Sequence, residues 1–331
     1  MKKILSIFII GLLLGCSFGV QGFSKQDEEL KKQIKPGDYF RFLIHDFRIR
    51  TYRMHIPPCY TGDSPLPLVL GLHGHPSNSK MTQLVSELDE EADEEGFISV
   101  YPDGEIPPFP IFLLALIMGE RGCWWNAWDY NNFNKVDDVD YIRELISKLQ
   151  ENININPSRI YITGISGGAL MTYRLGAELS DIVAAIAPVA GSIGGSWKDW
   201  YKNSGEYIIS KPLNPLPLIV FHGLEDQNVP YEGGWVEGKI GPFSFSVYYL
   251  SVNESISFWV EHNNCNPTPE IETSESGNII KKTYADGTDG SEVVLYTVVN
   301  GGHEWFGSRF FPPCEISATD LMWEFFEQHP K

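Results

Sequence analysis

Residues 159–173, RIYITGISGGALMTY, set one hydroxyl among three glycines at the end of an apolar run. A sheet strand gains nothing from glycines at its end, because glycine loses the most entropy on ordering and packs least. Gly164-Ile165-Ser166-Gly167-Gly168 has the G-x-S-x-G spacing of a nucleophile elbow, a tight turn between a strand and a helix. Gly164 and Gly168 leave room for the strand and helix to cross. Ser166 is pushed out at the amino end of the helix, where N–H groups and positive potential favour a developing anion. The alternative is a chance match in a glycine-rich turn. The strand-like run before it and the helix-like run after it favour the elbow.

A serine hydroxyl is a poor nucleophile until a base takes its proton. Histidine is the usual base, and a carboxylate orients it. After an elbow the chain order is serine, acid, histidine. PLIVFHGLEDQNVPY puts Glu225 and Asp226 just past a buried apolar run, and Asp226 is the choice of acid. Its bland alternative is a turn aspartate. VVLYTVVNGGHEWFG puts His303 behind Gly301 and Gly302, in the third place of the order. The other histidines lie before the serine or in helical or terminal stretches, and His222, at a strand end, reads as structural.

A tetrahedral intermediate also needs N–H donors aimed at its oxygen. One belongs to the residue after the nucleophile, Gly167. The other belongs to a loop after an earlier strand, and His73-Gly74-His75 in VLGLHGHPSNS is that loop. The backbone N–H of His75 is taken as the second donor, with a side-chain contact to substrate as the other option for this residue.

These loops need a scaffold that gathers strand ends. YFRFLIHDFRIRTYRMHIP reads as a hairpin. PLPLVLGLHG, FISVYPDG, RIYITGIS, IVAAIAPVAG and PLPLIVFHG read as strands, several buried on both faces. MTQLVSELDEEADEEG is a helix stopped by Gly96. VDDVDYIRELISKLQENI carries Val139, Ile142, Leu145, Ile146 and Leu149 on one helical face. SISFWVEHNN and SATDLMWEFFEQH are later helices, the second capped by Ser317. Alternating strands and helices predict an α/β fold with a mostly parallel central sheet and helices on both faces. Ligands then sit at the carboxyl ends of the strands.

The 331 residues carry a formal net charge of −18, which disfavours nucleic acid and anionic membrane surfaces as partners and suits a neutral substrate. MKKILSIFIIGLLLGCSFGVQG has the basic, apolar and small-residue regions of an export signal. Residues 1–22 are therefore expected to be a signal peptide, with a retained anchor as the alternative. Leu13-Leu14-Gly15-Cys16 resembles a lipobox, so a lipid anchor at Cys16 and free secretion both stay open. Residues 23–39 read as a linker, and 40–331 as one catalytic domain. Cys59, Cys123, Cys265 and Cys314 are even in number, which in an oxidising compartment predicts two disulfides; free buried thiols are the alternative.

LHGH, WWNAW, VDDVDYI, NPSRIYITGISGGALMTYRL, AAIAPVAG, FHGLEDQNVPY and NGGHEWFG, in that order, resemble the exported polyhydroxybutyrate depolymerase and feruloyl or acetylxylan esterase group of the α/β-hydrolase superfamily. The resemblance covers nearly all the chain after about residue 40. It implies Ser166 as nucleophile, Asp226 as acid and His303 as base, with His75 and Gly167 at the oxyanion positions and no metal or cofactor. Trp125 and Asn126 match a segment near the pocket, and Trp305 is a further pocket candidate. Asp137 and Asp138 read as structural. Many members of that group carry Cys where His75 stands and Asn where Gly167 stands. An apolar insertion at about 105–121, EIPPFPIFLLALIMGERG, is a lid, a contact with lipid or polymer, or plain core.

The expectation is an exported serine ester hydrolase acting on hydroxycinnamoyl or acetyl esters of plant polysaccharide, or on short polyester esters. Its rivals are a serine peptidase of prolyl-oligopeptidase type and a non-catalytic binding protein on a hydrolase scaffold.

Overall fold

The computed structural model describes residues 34–105, 123–128, 136–198, 204–240 and 243–331. The expected signal peptide, Cys16 and nearly all of the apolar insertion lie outside the described residues.

The hairpin β1 (Gly37–His45) and β2 (Arg48–Ile56) opens a ten-stranded sheet. Its further strands are β3 (Leu66–Leu72), β4 (Ile98–Pro102), β5 (Ile155–Ile165), β6 (Ala185–Val189), β9 (Leu218–Gly223), β12 (Glu270–Thr273), β13 (Ile279–Tyr284) and β14 (Val293–Val298). The order is β1-β2-β4-β3-β5-β6-β9-β14-β13-β12. The middle strands, from β4 to β14, run parallel, and both flanks are antiparallel. β1 starts at Gly37, so the last three residues of the expected linker, 37–39, are already sheet.

The parallel strands are apolar throughout because both faces are covered. Successive residues point to opposite faces of a sheet. Leu68, Leu70, Ile160 and Ile162 accordingly join one core, and Val69, Tyr161, Ala185 and Ala187 the other. Helix α3 (Asp138–Asn152) buries the predicted stripe in the first core, with Asp137 as its N-cap. Helices α4 (Gly167–Glu178) and α5 (Val252–Asn263) join it there. The second core is covered by α6 (Ala318–Gln328), whose cap is Ser317 as predicted.

The first predicted helix is two. α1 (Ser79–Ser86) and α2 (Leu88–Glu95) part at Glu87, whose φ of 55° is left-handed. Tertiary contacts hold the break: Thr319 donates to the Ser86 carbonyl, and Arg309 pairs with Glu87.

A four-stranded antiparallel sheet, β10-β11-β7-β8, was not expected. It comprises β7 (Gly194–Lys198), β8 (Ser204–Ile208), β10 (Gly234–Ile240) and β11 (Phe243–Tyr249). Its glycines read locally as turns, but they serve close strand contact. A Cβ on Gly194 would lie 2.2 Å from the Tyr207 carbonyl oxygen.

Within the large sheet, β6 and β9 share only two register pairs, Ile186 with Leu218 and Val189 with Phe221. β9 and β14 are paired along six. The β6–β9 seam joins the serine's side of the sheet to the strands beyond it, with Ile186 N–H donating to the Pro217 carbonyl and Ala190 N–H to the Phe221 carbonyl.

Candidate active site

Ser166 stands between β5 and α4 with φ 59° and ψ −123°, a strained conformation for a residue with a side chain. The motif glycines explain how the turn closes. A Cβ on Gly164 would lie 2.8 Å from the Gly168 backbone, and one on Gly168 would lie 2.2 Å from the Leu72 carbonyl oxygen. The elbow is thus wedged against the end of β3. The loop that follows β3 lies over the nucleophile, where a Cβ on Gly74 would be 3.3 Å from Ser166 Cβ.

Asp226 and His303, the expected acid and base, follow the adjacent strands β9 and β14. Gly223 faces Val298 in register, and Glu225 N–H donates to the Gly301 carbonyl. A Cβ on Gly223 would lie 2.2 Å from that same oxygen. The glycine pair before His303 therefore lets two loops stack backbone on backbone. His303 Nδ1 lies 2.7 Å from Asp226 Oδ2. Oδ1 accepts from the N–H groups of Asn228 and Val229, at 2.8 and 2.9 Å. Burial alone would raise the Asp226 carboxyl, but hydrogen bonds from His222 and His303 hold it well below the usual carboxylate range. Glu225, its neighbour, points into solvent.

His222 is fully buried and takes part in this pair. Its Nε2 lies 2.8 Å from the Val229 carbonyl oxygen and 3.4 Å from Asp226 Oδ2. The sequence marked it only as a strand-end residue. Among the described residues, no hydrogen bond joins Ser166 Oγ to His303, whose Nδ1 is engaged by Asp226.

The expected backbone donors, His75 and Gly167, belong to the loop after β3 and to the first residue of α4. Among the described residues, neither the His75 nor the Gly167 N–H has an acceptor. The His75 ring packs over Gly167, with Cγ 2.3 Å from where a Cβ would sit. Burial, and then the nearby His73, push its imidazole down to about 3, so the ring is neutral.

The WWNAW segment anchors this side. Trp125 N–H donates to His75 Nε2 at 2.8 Å, and its indole N–H donates to the His73 carbonyl at 2.9 Å. Asn126 N–H donates to Asp138 Oδ2 at 2.7 Å, while its side-chain amide donates to the Val136 carbonyl. The other Asp138 oxygen binds the buried Arg50 guanidinium at 2.6 Å. Trp125 thus braces the loop after β3, and Asn126 ties the segment to the start of α3.

Trp305 is a correction. It is fully buried in the second core, and its indole N–H donates to Thr319 Oγ1 at 2.9 Å, so it presents no surface to the site. The disulfides are a second correction: Cys59, Cys123, Cys265 and Cys314 are all free thiols. Each has its own surroundings; Cys59 lies under Gly96, and Cys265 donates towards the Ser291 carbonyl.

His73, Asp103 and Cys123 come within metal-ligand reach of one another. Hydrogen bonds already occupy the harder donors. His73 Nδ1 faces the Gly74 carbonyl, and Nε2 accepts from Gly104 N–H. Asp103 accepts from Ser79 and Thr51. The cluster ties the oxyanion loop to the end of β4.

A mostly parallel sheet carrying a serine elbow, with an acid and a histidine on later strand ends, is the α/β-hydrolase fold. An acetyl xylan esterase from Aspergillus awamori superposes on it with a TM-score of 0.55 at 13% identity, covering 87% of this chain and 99% of its own. No protein-family model matches the chain. Feruloyl esterase B of Piromyces equi is 28% identical over 250 residues, covering 75% of this chain and 41% of its own length. Poly(3-hydroxyalkanoate) depolymerase C of Paucimonas lemoignei is 26% identical over 165 residues, covering 49% of this chain and 39% of its own. The chain thus spans about two fifths of the length of these two curated relatives. The chain is thus similar to feruloyl esterases, to acetylxylan esterases and to a poly(3-hydroxyalkanoate) depolymerase. No described helix is long and apolar enough to cross a membrane.

Proposed function

We propose that the protein is an exported serine carboxylic-ester hydrolase. The observation that carries this reading is the Asp226–His303 pair, just past the ends of adjacent strands of the sheet in which β5 ends at a strained Ser166. In the reaction, Ser166 Oγ attacks the ester carbonyl carbon as its proton passes to His303 Nε2. The carbonyl π pair moves to oxygen, and the N–H groups of His75 and Gly167 receive that charge. Asp226 holds the resulting imidazolium and keeps its ring oriented. Collapse breaks the bond to the alcohol, which leaves with the proton from His303. Water repeats the sequence on the acyl-enzyme and frees the acid.

The substrates are neutral esters: hydroxycinnamoyl or acetyl groups on plant polysaccharide, or short hydroxyalkanoate esters. The names of the relatives and the acidic charge of the chain support this class. Export rests on the character of residues 1–22.

The experiment is a panel of feruloyl, acetyl-xylan, hydroxybutyrate and p-nitrophenyl esters beside a peptide anilide, with fluorophosphonate labelling. Ester turnover and a label lost in Ser166→Ala are expected. Anilide turnover without ester turnover would make it a peptidase, and absence of both turnover and label would make it a binding protein.

A further inference from the structure

We propose that the side chain of His75 is a third donor of the oxyanion site: its Nδ1–H, together with the backbone N–H groups of His75 and Gly167, binds the oxygen of the tetrahedral intermediate. The inference rests on the ester-hydrolase reading and adds a specific group to it.

The tautomer is fixed by the backbone. Trp125 N–H donates to His75 Nε2 at 2.8 Å, so Nε2 supplies a lone pair and carries no proton. Burial, followed by His73, lowers this group to about 3, so a single ring proton remains at neutral pH. That proton belongs to Nδ1. Among the described residues Nδ1 has no hydrogen-bond partner.

The position of Nδ1 gives it a task. It lies 2.5 Å from where a Gly167 Cβ would stand, above the first residue of α4. Gly167 is the first residue of that helix, at its positive end, and its own N–H is free of an intrahelical acceptor there. The ring is stacked on Trp124 at 5.0 Å between centroids, so it is held on a second side. A neutral, oriented N–H beside the nucleophile is what developing negative charge requires, because it needs no reorganisation as the charge appears. The donor keeps its proton throughout; the step is a hydrogen bond, with no transfer. The same contact explains why position 167 carries no side chain. Any Cβ would meet the imidazole at 2.3 Å, so the ring supplies polar contact where a side chain at 167 would otherwise stand.

Two substitutions separate this role from mere support. His75→Gln can place an acceptor near Nε2 for Trp125 N–H but puts no donor where Nδ1 lies. His75→Asn does the reverse, offering an amide N–H near the Nδ1 position and leaving Trp125 N–H without its acceptor. With p-nitrophenyl acetate, His75→Gln is expected to lose about 10²-fold in kcat with little change in KM and Tm, the range seen when one oxyanion donor is removed. His75→Asn is expected to keep more kcat than His75→Gln while losing more Tm. The reverse order of kcat, or wild-type kcat in His75→Gln, would overturn the proposal. A measurement on the wild-type protein needs no variant to fold. ¹⁵N spectra of labelled histidine should show His75 as the Nδ1–H tautomer, and its proton should move downfield once an organophosphate occupies Ser166. An Nε2–H tautomer, or a proton indifferent to the adduct, would also overturn it. If the wild-type protein neither cleaves esters nor takes the organophosphate, the ester-hydrolase reading itself has failed; an active wild type with the wrong order removes only this inference.

Discussion

Replacing Asp226 by asparagine should silence the enzyme while leaving most of its fold, and the hydrogen bonds around the carboxylate set the size of the effect. Three hydrogen bonds converge on two oxygens, from the N–H groups of Asn228 and Val229 on Oδ1 and from His303 on Oδ2, and the His222 Nε2–H that donates to the Val229 carbonyl lies 3.4 Å from Oδ2 as well. An asparagine has one oxygen and one NH2, so either orientation opposes an NH2 to a donor. With its oxygen on the backbone pair, the NH2 faces His303 Nδ1 and forces the proton onto Nε2, the atom that must accept from Ser166. That wrong tautomer corresponds to a loss of about 10⁴-fold in kcat, or roughly 5.5 kcal/mol of transition-state stabilisation. With the amide flipped, the backbone pair loses its acceptor, at about 1–3 kcal/mol of stability for each buried donor. The assay is kcat on a p-nitrophenyl ester beside a melting curve, with Glu225→Gln as control. Asp226→Asn within tenfold of wild type, or a larger loss in Glu225→Gln, would refute the reasoning.

Ser166→Ala and His303→Ala should each lower kcat by orders of magnitude, and the double variant should be scarcely worse, because the two act as a unit; additive losses in single-turnover kinetics would separate their roles. Gly168→Ala should fail to give folded protein, since its Cβ would stand 2.2 Å from the Leu72 carbonyl, whereas Gly302→Ala meets only the flexible end of Glu304 at 3.2 Å and should melt within a few degrees of wild type. Burial and the carboxylates of Asp320, Glu95, Glu94 and Glu324 push Glu91 up from 4.5 to about 7. The folded chain therefore holds an extra proton between those values, and stability falls as pH rises through them. Because Glu91 is half-exposed, the screened effect is roughly 1 kcal/mol. Glu91→Gln should thus raise Tm at pH 8 and leave it unchanged at pH 4, and equal shifts at both would refute the assignment.

The parallel strands were legible because burial on both faces writes a continuous apolar run, as in LPLVLGL of β3. Ser166, Asp226 and His303 were legible as residues because each follows such a run. What sequence left out depends on contacts distant in the chain. The break at Glu87 is set by Thr319 and Arg309, more than 220 residues away. The small antiparallel sheet was hidden because its glycines carry a local turn signal, while their use is to admit a crossing strand. Trp305 followed His303 so closely that it read as part of the site, yet the chain turns it into the second core. Four cysteines suggested bridges by their number alone, and number carries no distance. The support of His222 for Asp226 spans one turn of loop, and no spacing rule announces it.

The seam between β6 and β9 bears on how the protein comes to be reactive. The nucleophile stands at the end of β5, on one side of that seam, and the histidine and its acid stand on β9 and β14, on the other. Each side is ordered by its own ladder, and neither alone can make the serine nucleophilic. A competent site therefore requires the two halves to be joined. During synthesis the serine strand leaves the ribosome well before its partners, as an inert alcohol. Covalent capture of Ser166 would accordingly time the moment at which the two halves of the sheet meet.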